Sequence, residues 1–189
     1  MLQAAAAYRR GQFNEAKTGL AGVNLAEIND KWVKEEIAFM LASIDAKSAL
    51  AGEGDKNAAG TLLVQFIGEY ANSFHYYEAV ELFADLAFSV GQFQTAGENY
   101  QKLANAPWPQ MKVFGTLRLA HANVGQGQFD DALAKFEQVA GYNATTPEQQ
   151  ALVAEAQAGR ARCLGETGKA QEGIAAVEKI INIVVIAPI

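Results

Sequence analysis

Apolar positions recur three and four residues apart along most of this chain, and glycines break the pattern at intervals. In 79–104, Val80, Phe83, Leu86, Ala87 and Val90 keep helical spacing up to Gly91. Phe93 then restarts the pattern, with Ala96, Tyr100 and Leu103 on one face. The spacing predicts two helices joined by a tight turn. The stretch 116–139 repeats it: Leu119, Ala120 and Val124 precede Gly127, and Phe129, Ala132, Phe136 and Val139 follow. In both second helices the order is aromatic, alanine, aromatic, aliphatic at the same offsets.

The tripeptide Gly-Gln-Phe marks the turn three times, at Gly11, Gly91 and Gly127. Two weaker copies fit the same template. Gly54, Ala59, Leu63 and Phe66 hold the offsets in one, and Gly168, Gly173, Val177 and Ile180 in the other. The turn glycines are thus spaced by 43, 37, 36 and 41 residues, periods that mark stacked helical hairpins. Ala84, Ala96, Ala120 and Ala132 are small where two helices would cross, so their axes can approach to roughly 8–10 Å. Thr146-Pro147-Glu148-Gln149 reads as a capped helix start with a capping box. Asn24 and Ser73 are weaker cap candidates.

The stretches GQFQTAGENY and GQFDDALAKF resemble the tetratricopeptide repeat (TPR) superfamily, whose unit of about 34 residues is two helices with a small residue at their contact. GQFNEAKTGL matches with Leu20 in place of the aromatic residue. The resemblance covers nearly the whole chain and departs in its long spacings and in lacking the usual repeat-end proline outside Pro107 and Pro109. YANSFHYYEA (70–79) is similar to a segment of bacterial envelope TPR proteins. The fold expected is all-α, a right-handed superhelical stack of about five antiparallel helix pairs in a single domain, 1–189. The repeats are 1–23, 24–70, 71–106, 107–143 and 144–182, and 183–189 is an apolar tail.

Composition narrows the function classes. A net charge of −6 over 189 residues argues against nucleic-acid binding, which needs a basic face. No apolar run reaches the roughly 18–20 residues of a membrane helix, so no membrane insertion by this chain is expected. The start Met1-Leu2-Gln3-Ala4 carries no signal-like pattern. From this chain alone the expectation is cytoplasmic, or periplasmic and membrane-tethered if a leader was removed. No P-loop, dinucleotide fingerprint, H-E-x-x-H or C-x-x-C is present, and His75 and His121 lack ligand spacing. No metal, cofactor or catalytic site is expected. The single cysteine, Cys163, reads as a packed thiol on an amphipathic helix, and Trp32 and Trp108 as packing residues.

In a TPR stack the first helices line a concave groove. Counting back from Gly91 places Glu78, Glu81 and Asp85 there, three carboxylates on one helical face. Counting back from Gly127 gives Phe114, Leu117, Arg118 and His121, and from Gly168 gives Glu155, Ala158 and Arg162. The lysine and asparagine set with which chaperone-tail-binding TPR domains grip a C-terminal carboxylate is absent, Ala5, Asp45 and Leu82 standing at such positions. The expected function is a non-catalytic protein–protein interaction scaffold that takes a peptide or partner protein in this groove. The alternative is a bacterial cell-envelope assembly factor, tethered through a segment missing from this sequence. Both chain ends read as cuts through a longer array. The last helix is expected from Ala170 to about Asn182. The tail Ile183-Val184-Val185-Ile186-Ala187 then drives self-association, or folds back as a cap.

Overall fold

The computed structural model describes the backbone of residues 2–186 and the side chains of 3–178. Among these the chain is all-helical: α1 (Leu2–Arg9), α2 (Phe13–Leu20), a 3₁₀ turn (Leu25–Glu27), α3 (Lys31–Leu50), α4 (Lys56–Glu69), α5 (Tyr76–Ser89), α6 (Phe93–Ala104), α7 (Pro109–Gly125), α8 (Phe129–Ala140), α9 (Pro147–Glu166) and α10 (Ala170–Ile186). The arrangement is that of an α-solenoid built from helix pairs. The helices group into two compact units divided between Val90 and Gly91, each taken by itself below.

The three Gly-Gln-Phe turns are one structure used three times. The glycines have φ of 73°, 76° and 72°, a left-handed conformation that costs other residues steric strain. The glutamines that follow sit at φ/ψ of −84°/66°, −80°/61° and −86°/65°, and each phenylalanine opens the next helix. At Gly11 the turn closes with Gly11 N–H donating to Tyr8 C=O and Gln12 N–H to Ala7 C=O. Gly127 and Gln128 repeat this on Val124 and Asn123. This is the Schellman pattern, which satisfies carbonyls that the helix end leaves open. The second hairpin departs from the expected register. Gly52, not Gly54, closes α3, with Gly52 N–H on Ala49 and Glu53 N–H on Ser48. Two inserted residues then lead to Asp55, whose carboxylate accepts from Asn57 and Ala58 N–H.

In the N-terminal unit α3 is central and buries two faces. Ile37, Met40 and Ile44 pack with Ala4, Ala7, Ala16 and Leu20 of the first hairpin. Phe39, Ala42, Ala46 and Ala49 pack with Ala59, Leu63 and Phe66 of α4 and Ala79, Leu82 and Leu86 of α5. Asp30 starts α3 by accepting from Trp32 and Val33 N–H, a cap worth about 1 kcal/mol. Asn24 instead caps the 3₁₀ turn, and Ser73 accepts from His75 N–H ahead of α5.

The C-terminal unit packs more tightly, through glycines. A β-carbon at Gly115 would fall 2.4 Å from the backbone nitrogen of Ala104, one at Gly125 2.5 Å from the Phe93 ring, and one at Gly159 2.4 Å from Cζ of Phe136. These glycines let α7 lie on α6 and α9 lie on α8. Leu117, Ala120, Ala132, Leu133, Phe136, Val139, Ala156, Cys163 and Leu164 form the core. Burying a side chain the size of Phe136 contributes about 1.5–3 kcal/mol. Thr146 and Gln149 make the expected capping box at α9. The last helix does not stop near Asn182: α10 continues to Ile186. Its β-branched residues each cost a helix only a few tenths of a kcal/mol, and no breaker precedes Pro188. Residues 187–189, and the tail side chains to which self-association was ascribed, lie outside the described residues.

Candidate functional site

Phe114, Arg118 and His121 follow one another at helical spacing on α7, and Glu155 and Arg162 lie two turns apart on α9. α7 and α9 are both first helices of their hairpins and pack side by side. The Arg118 guanidinium lies over the Phe114 ring, 5.1 Å from its centroid, a cation–π contact that holds it flat. Across the helix pair, Glu155 Oε1 is 3.9 Å from Arg118 Nη1 and 2.8 Å from His121 Nε2. The second distance is that of a close polar pair, and Glu155 acts through it to raise the imidazole's pKa. Arg118 Nε is buried without a hydrogen-bond partner. Leaving a buried polar atom unserved costs about 1–3 kcal/mol, so each such atom calls for an explanation.

The His121 ring meets Phe136 edge-on, 5.1 Å between centroids at 77°, and Phe136 is the side chain seated on Gly159. Burial first, then the charges of Arg118 and Arg162, hold the imidazole below its usual pKa, with Glu155 pulling the other way. Arg162 is exposed and forms no ion pair within 4 Å among the described residues. Leu117 does not line this face: it is fully buried in the core. Three residues after Phe114 it is turned about 60° around the helix, toward α8 and α9. Cys163 is also buried, and burial pushes its thiol pKa up, the reverse of what a reactive thiolate needs.

The first helices of the N-terminal unit present a different surface. Lys47 of α3 donates to the Tyr8 hydroxyl of α1 and to Glu78 Oε1 of α5, each at 3.1 Å. Ser43 Oγ bonds the same hydroxyl at 2.9 Å. The Lys47 ammonium lies 5.1 Å from the Tyr8 ring centroid and 5.6 Å from that of Phe13. Burial acts to lower the Lys47 pKa, but the bonds to Tyr8 and Glu78 outweigh it and leave it raised. His75 is stacked on Phe39 at 4.0 Å and 6° and stands 2.8 Å from Glu36 Oε2. Lys17 pairs with Asp45. Of the expected acidic trio, Glu78 is thus held by Lys47, while Glu81 and Asp85 are half-buried on the same helix. A cavity of about 330 Å³ is lined by Leu25, Ala38, Leu41 and Phe66 together with Lys34 and Glu69.

Two expectations for the tryptophans are corrected. Trp32 is 76% exposed and Trp108 54% exposed, because they stand at the N-terminal starts of α3 and α7, ahead of the buried turns. Among the described residues no group of three metal-ligating side chains occurs, and no helix is long and apolar enough to cross a membrane.

No family model matches the chain, and no curated protein matches it by sequence. Solved structures do. A Podosopora anserina kinesin light chain with nearly identical TPR-like repeats superposes with a TM-score of 0.69 at 20% identity, over 95% of this chain and 90% of that one. A variant of it gives 0.69 at 21% identity over the same shares. MamA of MSR-1 gives 0.68 at 16% identity, over 98% of this chain and 94% of that one. In fold, this chain is a tetratricopeptide-like helical repeat protein.

Proposed function

We propose that the protein is a non-catalytic protein-interaction scaffold, and that a peptide or partner segment binds on the first-helix face of its C-terminal unit. Helical repeats of this kind present extended surfaces for such binding. One observation supports placing the site there: Arg118 and Arg162 are incompletely served cations, Arg118 Nε having no hydrogen-bond partner and the exposed Arg162 no ion pair within 4 Å among the described residues. A segment carrying Asp or Glu would satisfy them, and Phe114 supplies an apolar wall. The buried, pKa-raised Cys163 supports the non-catalytic reading.

The test is an array of short acidic, neutral and basic peptides probed with the labelled chain at two salt concentrations. Acidic peptides are expected to be retained, and more weakly at high salt. The double variant Arg118→Glu/Arg162→Glu should lose that retention while keeping its melting temperature. Equal retention by the double variant would rule this face out as the binding surface.

A further inference from the structure

The carboxylate already on this face is a poor partner for the Arg118 guanidinium. Glu155 reaches Arg118 Nη1 only at 3.9 Å, beyond hydrogen-bond range. It lies 2.8 Å from His121 Nε2 and leaves Arg118 Nε without a hydrogen-bond partner. A free carboxylate would take a guanidinium by two parallel bonds, from Nε and one Nη. Glu155 is fixed to the α9 backbone and meets only one corner of that fork. Its side chain is 41% exposed, so it has solvent to move into if another anion takes the fork.

We infer that Glu155 is an internal occupant of the seat that an acidic ligand's carboxylate takes, and that displacing it sets the affinity of the face. The inference rests on reading the face as one that binds acidic segments. Each Asp or Glu side chain offered by a partner competes with a tethered carboxylate that is always present. Weak acidic segments are thereby excluded, and a segment is retained only if it makes the two-pronged contact Glu155 cannot make. Selectivity of this kind comes from a built-in penalty as much as from attraction. The contrary role would be positioning, with Glu155 holding Arg118 and His121 in place for the ligand.

Fluorescence anisotropy with a labelled, C-terminally amidated hexaglutamate peptide separates the two. Glu155→Gln keeps the side chain's size and removes its charge. It should bind the probe about two- to fivefold more tightly than the unaltered chain, the size expected of one partly exposed charge pair. Arg118→Gln should abolish binding in both backgrounds. A neutral glycine–serine hexapeptide with a free C-terminus is the second probe, and binding of it to Glu155→Gln comparable with hexaglutamate would overturn the assignment to side-chain carboxylates. Unchanged or weaker binding of hexaglutamate by Glu155→Gln, with the unaltered chain still binding, would overturn the occupant role and leave the acidic-segment reading standing. No binding of hexaglutamate by either protein would sink both.

Discussion

The two units are each held together by different means. In the N-terminal unit α1, α3 and α5 are tied by a closed polar network, with Lys47 serving Tyr8 and Glu78 while Ser43 serves Tyr8. In the C-terminal unit glycines let each first helix lie close on the preceding second helix, and the polar contact between α7 and α9 is loose: Glu155 reaches Arg118 only at 3.9 Å, and Arg118 Nε keeps no hydrogen-bond partner. Gly159 admits Phe136, and Phe136 fixes the edge of His121. A closed network reads as architecture. A rigidly held, unfinished one reads as a surface prepared for something else.

The largest effect should come from the glycine contacts. Gly159→Ala drives a methyl group into Phe136 and should destabilise by about 1–3 kcal/mol, even after the helix-propensity gain of about 1 kcal/mol for alanine over glycine. Gly60→Ala in the N-terminal unit meets Phe83 only at 3.6 Å, an ordinary contact, and should be neutral or stabilising by up to about 1 kcal/mol. Urea midpoints that shift equally for the two variants would erase the contrast in packing.

Next come the polar groups. Tyr8→Phe removes the oxygen that Lys47 and Ser43 share and should cost about 1–2 kcal/mol. Glu155→Gln should stay within about 0.5 kcal/mol, since the pair it breaks is loose and partly exposed. A Glu155→Gln variant as unstable as Tyr8→Phe would show that the C-terminal face is structural after all.

The smallest effects are in pH, and they lie at opposite ends of the scale. His121 has a folded pKa below its usual 6.5, so the unfolded chain takes up the proton first. Its contribution is complete above about pH 6.5 and is lost as pH falls through the folded value. Lys47 has a folded pKa above 10.5. Its contribution is complete below that pH and is lost as pH rises through the folded value. His121→Gln should therefore flatten the acid limb of stability against pH and leave the alkaline limb alone, and Lys47→Met the reverse. Urea titrations at pH 5.5, 7.5 and 11 would show whether the limbs separate in this way.

Much of the fold was readable in the sequence because turns and crossings are local. Gly-Gln-Phe encodes its own turn, and Ala84, Ala96, Ala120 and Ala132 are all fully buried, as their smallness at the crossings implied. Gly54 misled because a two-residue insertion moved the helix stop to Gly52. Asp30 and Asp55 escaped notice as caps because no Glu or Gln stands at the capping-box position after either. The site was less legible. Helical spacing placed Phe114, Arg118 and His121 on one helix, but it could not tell that Leu117 turns inward. Nor could it show that Glu155 falls short of Arg118, since that depends on how closely α7 and α9 approach. Gly159, which seats Phe136 of α8 against α9, looks from sequence like any helical glycine.

The repeated turn also bears on how the chain folds. In the Gly-Gln-Phe hairpins only three residues, the last two the glycine and the glutamine, separate one helix from the opening phenylalanine of the next, so closing them loses little loop entropy. Contacts made between neighbours in sequence form early, and topologies rich in them fold fast. Arrays of such pieces can begin at any one of them and grow outward. The second hairpin, with its two extra residues and two positive-φ glycines at Gly52 and Gly54, closes less readily and should come late, making the region around α3 and α4 the slow step of assembly.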